Sequence, residues 1–480
     1  MRSAWPSAVA VMMPSGDPRV RVLIAGGGVA ALEALLALRA LAGDRVAISL
    51  MSPEPELVYR PVTVAEAFGR AEAGTYQLAD ILADQHVSHI VDSLVRVDPV
   101  RHAAMTASNA TIPYDALLVA TGARTANPLP GALMFGGRAE VPQLRTMLGE
   151  LVDGTAASVA FTLAREQTWA LPLYELALMT ASHLRDHGSD ARVMIVTPED
   201  EPLGLFGPPA SAAVREMLSA VGIGLRCLAL PAGVTHRQLL LAGGGGVPAD
   251  RVVTLPALEG LRLAGLPADD HGFIPVDAHG RVAGAPDVYA AGDVTTFPFK
   301  QGGVAAQEAD AAAEAIAQRA GASLEPAAFR PVLRGLLMTA GAPLYLRCEP
   351  HRLVRQATVA IDVPSPSRSG PAAPSASDQP LWWPPVKVAG RYLAPYLSTA
   401  RPVLGPPGRL ADRMAVPGPA LPESEHHDAL ELALLLAEGD ARWGDYRSAL
   451  AALEAAEALE GALPPEYETK RRMWQAEAAS

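Results

Sequence analysis

Apolar and polar positions follow two alternating periods over most of the chain. The first clear pattern is the apolar run Val20 to Ala25, which stops at Gly26, Gly27 and Gly28 and passes into an Ala- and Leu-rich stretch closed by Gly43. That order predicts a buried strand, a tight turn and a helix over 30–42 with a C-terminal glycine. Residues 45–51 read as a second parallel strand. The polar lead-in at 111–115 followed by Ala116 to Ala120 reads as another, halted at Thr121 and Gly122. Residues 271–293 repeat this logic, with the apolar run from Val288 to Ala291 delivering Asp293 at its carboxyl end. Residues 304–320 read as a helix.

A second set of alternations lies between these. Ser158 to Leu163 reads as a strand, 171–185 as a helix, 191–196 as a strand and 208–220 as a helix, with 221–225 leading into a further strand. Such βαβ alternation predicts a second Rossmann-like layer. Leu333 to Arg347, interrupted by Gly341, Ala342 and Pro343, reads as a hairpin, and the Pro-, Ser-, Ala- and Gly-dominated residues 364–380 read as a flexible excursion. After the linker Pro417 to Glu425, Ala429 to Glu438 is apolar at helical spacing, and a second helix opens near Trp443 and ends near Leu459. The fold class is therefore α/β, with two Rossmann-like dinucleotide-binding domains, a C-terminal α+β cap and a helical hairpin tail. The expected boundaries are a disordered extension at 1–19, a discontinuous first domain at 20–135 and 255–322, a second domain at 140–254, a cap at 325–416 and the hairpin at 426–480.

Composition narrows the function. Half of the 480 residues are hydrophobic and 19% are charged, enough for two to three cores. The net charge of −12, with no lysine-rich run, argues against nucleic acid as a partner. Cys227 and Cys348 are far apart and form no C-x-x-C, so neither a disulfide framework nor a metal site is indicated; both read as small buried hydrophobes. Residues 1–19 lack the features of a signal peptide, and Met12 and Met13 mark an alternative start. No run reaches the 18 or so apolar residues of a membrane span. The expected location is cytoplasmic, with any membrane contact peripheral.

The candidate chemistry sits at the turns. Gly26, Gly28 and Ala31 fit G-x-G-x-x-G/A, in which a glycine makes the turn, a glycine admits a pyrophosphate and a small residue packs helix on strand. The pyrophosphate would lie on the helix N-terminus. Where such folds carry a ribose-binding acid this chain has Ser52, with Glu54 and Glu56 just beyond. Arg60 either reaches a phosphate or lies solvated in a loop. Thr121 and Gly122 form a turn beside a ligand, and Gly292 and Asp293 present a carboxylate to sugar hydroxyls. Lys300, Gln301 and Gly302 open the helix from 304, whose N-terminus offers free amides and a positive dipole end; Lys300 either adds to that field or is an exposed lysine. The corresponding loop of the second domain, 163–172, contains no glycine. Its backbone cannot approach a pyrophosphate closely, which argues against tight NAD(P)H binding and leaves NAD(P)H an open alternative.

In this order and separation the three glycine- and aspartate-bearing stretches resemble the FAD-binding elements of the two-dinucleotide-domain flavoprotein reductases. That superfamily includes the pyridine nucleotide-disulfide reductases, the type II NADH dehydrogenases and the sulfide:quinone reductases. The resemblance runs from about Val20 to Leu397. It implies bound FAD, with Gly26, Gly28 and Gly122 beside the ADP half, Asp293 bonding the ribityl chain, and the helix after Lys300 aimed at the pyrimidine edge of the isoalloxazine. Residues 169–178 resemble the corresponding segment of the sulfide:quinone reductases, with Pro172, Tyr174 and Glu175 matching and Trp169 standing where that family has a catalytic cysteine. A tryptophan cannot carry sulfur. Trp169 either packs against a flat substrate or fills a domain interface, and with Tyr174 and Lys300 it makes up the candidate catalytic set. Lys387, Val388 and Ala389 resemble a motif beside the quinone pocket. Trp382 and Trp383 are thus candidates for quinone, lipid or partner contact, or for core packing. The order around Asp445 and Tyr446 resembles one tetratricopeptide unit, which cannot bury its own face and is expected to dock on the body or on a second subunit of a homodimer.

The function implied is an FAD-dependent oxidoreductase without a redox-active disulfide, acting on a small-molecule redox substrate, a quinone among the candidates. The alternatives are an NAD(P)H- or quinone-linked reductase of the same family and a non-catalytic FAD-binding scaffold.

Overall fold

The computed structural model describes residues 18–164, 169–339, 341–349, 375–382 and 384–399, and in the tail 446, 450, 453, 454, 456, 457, 463 and 465–478. The chain forms two compact units, Met1–Val416 and Pro417–Ser480.

The larger unit begins as the apolar pattern requires: β1 (Val20–Ala25), α1 (Val29–Ala42), β2 (Val46–Met51), β3 (Ser88–Ile90) and β4 (Ala116–Val119). The chain then builds a second layer from β5 (Leu133–Met134), α2 (Val141–Val152), β6 (Ser158–Thr162), α3 (Leu171–Asp186), β7 (Arg192–Val196), α4 (Pro208–Ala220), β8 (Gly224–Arg226) and β9 (Arg251–Thr254). It returns to the first layer with β10 (Val288–Ala290) and α5 (Gly302–Arg319). The first sheet has the order β10-β4-β1-β2-β3 and the second β5-β9-β6-β7-β8, every pairing parallel. Parallel sheets are covered on both faces, and β4, β6 and β10 accordingly bury every residue. Of the stretch 271–293, only Val288–Ala290 joins the sheet; Ile274 and Val276 make single bridges. Helices α1 and α5 share one core, in which Ala34, Ala37, Ala309, Ala312 and Ala313 are buried. Such small side chains let the two helices approach closely.

The cap is a hairpin of β11 (Leu333–Leu337) and β12 (Leu344–Cys348), as its sequence suggested, with β13 (Ser375–Ser377) added to the edge of β12. Those last residues belong to the stretch read as a flexible excursion, which therefore returns to the sheet before its end. Trp382 is core: it is buried, its Nε1 donates to Val386 O (2.9 Å), and it meets Tyr345 edge-on at 5.1 Å. Trp383 lies outside the described residues. Helix α6 (Leu393–Thr399) is anchored by Glu33 of α1, a fully buried carboxylate that accepts from Tyr392 N (2.7 Å) and Leu393 N (2.9 Å).

The cap and the second layer meet at a buried ion pair. Lys387 Nζ lies 2.6 Å from each carboxylate oxygen of Glu175 in α3, with side-chain exposures of 7% and 0%. Glu175 Oε1 also accepts from Met338 N at 2.8 Å, just past β11. The next residue along, Val388, donates its N–H to Tyr59 Oη (2.8 Å).

In the smaller unit, Leu453, Ala456, Leu463 and Trp474 form a core with Tyr446, Leu450 and Tyr467 against it. The helical residues between 446 and 457 match the helix expected there. Their described partner is α7 (Pro465–Ala478), which the apolar pattern did not announce because Trp474 is its one buried anchor. The helix expected at 429–438 lies outside the described residues. No helix among the described residues is long and apolar enough to cross a membrane.

Removing one partner of a buried ion pair leaves an uncompensated charge and costs about 3–5 kcal/mol, whereas replacing both with apolar groups is close to neutral. Lys387→Met is therefore expected to lower the denaturation midpoint sharply and Lys387→Met/Glu175→Leu to recover most of it. Equal midpoints for the single and double variants would show that the pair is not the tie.

Candidate dinucleotide site

The site is built on the carboxyl edge of the first sheet. Gly26 has φ +135°, and a Cβ there would lie 2.1 Å from Ala120 O, so the turn after β1 admits only glycine. Its N–H is taken by Met51 O at 2.7 Å. Gly28, by contrast, is exposed and faces open space, at the N-cap of α1 with no side chain capping the helix. The first amides of α1 thus stay available, an arrangement that attracts anions. Ala31 is fully buried against the sheet, as the motif demands. Ser52 is also fully buried, and its Oγ donates to Glu54 Oε2 at 3.0 Å. The Ser52 hydroxyl is already committed, so the exposed Glu54 presents the carboxylate at the end of β2.

Two neighbouring strand ends carry unspent groups. Thr121 Oγ1, just past β4, is buried with no hydrogen-bond partner among the described residues. Gly122 beside it turns at φ +70°, with open space on the side where a Cβ would project. Past β10, Gly292 has φ +83° and packs on α1, where a Cβ would sit 3.0 Å from Ala30 Cβ. The Asp293 carboxylate is half-buried and accepts no hydrogen bond from the described residues. Burial pushes its pKa up, and the charges of Lys300 and Arg60 oppose that shift. Arg60 itself is exposed in a 3₁₀ turn, from which its charge acts on Asp293 through space.

The start of α5 is more heavily engaged than its sequence suggested. Gln301 caps the helix through Oε1, which accepts from Val304 N (2.9 Å), while its Nε2 donates to Arg334 O (2.6 Å). Both ends of this side chain are committed to structure, leaving only its backbone for a ligand. At Gly302 a Cβ would lie 2.8 Å from Val388 Cγ2, so the cap covers the helix entrance. Lys300 is not a solvated surface lysine. Its Nζ donates to Thr295 O and lies 4.2 Å from the Phe273 ring centroid. Burial lowers its pKa, against the pull of Glu308, Asp293 and Asp269.

Glu308 is the residue that sequence reasoning missed. It is buried in α5 and accepts from Gly292 N (2.7 Å) and Thr295 Oγ1 (2.9 Å), holding the turn that presents Asp293. Burial pushes its carboxyl up to about 7. The available signal was a glutamate inside an otherwise alanine-rich helix face.

The other two candidate catalytic residues are placed elsewhere. Tyr174 has no exposed surface, and its hydroxyl donates to Glu199 Oε2 at 2.6 Å, so burial and a committed hydroxyl remove it from any substrate. Trp169 is half-buried and meets Phe206 edge-on at 5.8 Å. Residues 165–168 of the glycine-free loop lie outside the described residues. Cys348 is buried as expected, but Cys227 is half-buried because it follows β8, the edge strand of its sheet. Both are free thiols, and no group of metal-ligating side chains occurs among the described residues.

The family model for pyridine nucleotide-disulphide oxidoreductases matches residues 20–152 and 175–318, more than half of the chain. The chain belongs to this family. An NADH dehydrogenase-like protein of Mycobacterium tuberculosis is 27% identical over 297 residues, covering 57% of this chain and 72% of the relative. The ferredoxin–NAD(+) reductase component of the biphenyl dioxygenase system of Paraburkholderia xenovorans is 31% identical over 298 residues, covering 59% and 69%. Among solved structures, the sulfide:quinone oxidoreductase of Aquifex aeolicus superposes with a TM-score of 0.63 at 20% identity, over 69% of this chain and 84% of that one. A ferredoxin reductase of Rhodopseudomonas palustris gives 0.54 at 20% identity, over 68% and 82%. These structures share the fold. This pyridine nucleotide-disulphide oxidoreductase family member is thus an oxidoreductase of a flavin-linked kind, and its family match breaks at 153–174, where the glycine-free loop lies.

Glu308 gives the site a measurable titration. A carboxyl whose pKa is raised on folding binds its proton more tightly in the native state, so stability falls as pH rises from its ordinary 4.5 toward about 7 and is level above. The span corresponds to a change on the order of 3 kcal/mol. Glu308→Gln is expected to flatten that part of the stability profile, followed by denaturation between pH 5 and 8. An unchanged slope would remove Glu308 as its source.

Proposed function

We propose that this oxidoreductase holds FAD across the carboxyl ends of β1, β4 and β10 and passes electrons between small-molecule partners without a covalent nucleophile. One observation carries the reading: three strands adjacent in the sheet end in groups without hydrogen-bond partners among the described residues, namely the open Gly28 turn, the Thr121 hydroxyl and the Asp293 carboxylate. Such a crevice at the carboxyl edge is where open α/β sheets bind ligands.

Gly26 and Gly28 would admit the pyrophosphate to the amides of α1, and Glu54, oriented by Ser52, would meet the ribose. Thr121, Gly122 and Asp293 would take the hydroxyl-bearing chain. When bound, the flavin supplies the redox chemistry, and the protein contributes position and field. The buried Lys300 ammonium and the N-terminal dipole of α5 favour negative charge at the helix entrance. Cys227 and Cys348, distant in sequence and unpaired, supply no redox-active disulfide.

A nicotinamide donor is the second reading. The complete parallel order of the second sheet and the names of two relatives favour it. The missing glycines of 163–172 and the break in the family match there oppose it.

Stopped-flow mixing of the purified yellow protein with NADH, NADPH, sulfide and a reduced quinone in turn decides among these readings. The expected result is reduction by at least one donor, with nicotinamide rates rising linearly and unsaturated into the millimolar range. Saturation by NADH or NADPH would establish the second reading, and failure of every donor and acceptor would leave a scaffold. The cofactor assignment has its own check. Asp293→Ala removes the acceptor for a buried hydroxyl, worth about 1–3 kcal/mol, and should lower the flavin-to-protein absorbance ratio on purification. A stoichiometrically yellow variant would refute the role of Asp293.

A further inference from the structure

The cap hairpin sets Arg334 of β11 directly opposite Arg347 of β12. Opposed residues in an antiparallel pair leave the same face, and like charges so placed weaken the sheet. Arg347 is relieved by Glu349, whose Oε1 lies 2.5 Å from Nη2. Arg334 makes no such bond, and Glu349 acts on it only through space. It is half-buried, its Nε is sealed from solvent, and none of its nitrogens meets an acceptor among the described residues. Burial and then the neighbouring Arg347 pull its pKa below the ordinary arginine value, with the Glu349 charge opposing them. A shielded cation without a partner is costly to keep.

The position of this cation is fixed by the helix at the candidate flavin site. Arg334 O accepts from Nε2 of Gln301, the N-cap of α5, so the strand bearing Arg334 is tied to the helix entrance. Among the described residues, two guanidinium groups and one carboxylate leave a net charge of +1. A singly charged oxyanion balances that; a phosphate dianion overshoots it. The planar guanidinium fork matches a carboxylate through two parallel hydrogen bonds.

We infer that Arg334, assisted by Arg347, is a binding site for the carboxylate of a small molecule at the cap side of the α5 entrance. The site does not depend on which donor reduces the flavin. Arg334 supplies the bidentate contact, Arg347 adds field, and Glu349 limits the charge the site accepts.

The test uses the full-length protein with its flavin, and acetate as the probe, against chloride at matched ionic strength and inorganic phosphate as a second arm. Thermal unfolding is followed as each anion is titrated. Acetate is expected to raise Tm saturably, beyond chloride or phosphate, because a ligand that binds only the native state stabilises it by mass action. Arg334→Met is expected to lose that response while unfolding in chloride at the wild-type temperature or above, since an unpartnered cation has been removed. Glu349→Gln is expected to tighten acetate binding several-fold and to favour phosphate, a change that a purely structural arginine would not produce. The proposal is overturned by an absent acetate response in the wild type, or by the same response in Arg334→Met. It is also overturned if Arg334→Met unfolds at lower temperature in chloride or fails to fold, because the guanidinium then has a partner inside the chain. A wild-type preference for phosphate would refute the carboxylate assignment.

Discussion

The arrangement of the larger unit depends on an ion pair that water does not reach. Glu175 and Lys387 are 212 residues apart, and a carboxylate and an ammonium this deeply buried persist only if each supplies the other's charge and the remaining lone pairs are filled. The Met338 amide fills one of them. Satisfying Glu175 therefore requires α3, the residue past β11 and the cap segment to meet at one point. Once Lys387 is fixed, Val388 is placed both to donate to Tyr59 and to press on Gly302, which closes the entrance of α5. Burial pushes the Glu175 carboxyl up and the Lys387 ammonium down, each opposed by the other's charge. The pair thus reports whether the cap is seated.

Buried carboxyls recur along the α1–α5 helix pair, and two of them hold backbone. Glu33 of α1 holds the start of α6, and Glu308 of α5 holds the turn around Asp293. Beside Glu33, Asp310 of α5 is also pushed upward in pKa, by burial first and by the Glu33 charge next. The alanine-rich contact between the helices explains why these acids are tolerated. Close packing of small side chains leaves polar stems directed at neighbouring loops, where free amides await acceptors. The two ends of one helix pair thereby position the candidate ligand carboxylate and the cap.

The first sheet was legible because β1, β4 and β10 are apolar runs that lead into glycine turns, the second because apolar runs alternate with helical stretches, and the first turn because only glycine fits against Ala120 O at Gly26. Asp293 was legible for the same reason: it follows a strand end at a fixed distance. What the sequence concealed depends on contacts far apart in the chain. Glu308 looks like one more charge in a helix of alanines until Gly292 is brought beneath it. Tyr174 looks available until Glu199 takes its hydroxyl. Lys300 looks like a surface lysine until Thr295 and Phe273 enclose it. Cys227 was read as buried because cysteine usually is, and only the strand order reveals that it follows an edge strand. The polar sequence of α7 carries too few apolar positions to display a helical period.

The two dinucleotide layers have kept different things. The first sheet retains each glycine and the unspent hydroxyl and carboxylate groups that a dinucleotide needs, whereas the second retains its strand order and has turned its polar groups inward. Tyr174 is bonded to Glu199, and Thr162 Oγ1 donates to Val196 O at 2.7 Å. Side chains committed in this way are held rigidly and are not offered to a ligand. Its strongest outward commitment is Glu175, which is directed at the cap. The second layer therefore acts on the candidate ligand crevice mechanically, by fixing Lys387 and with it the segment that covers the entrance of α5.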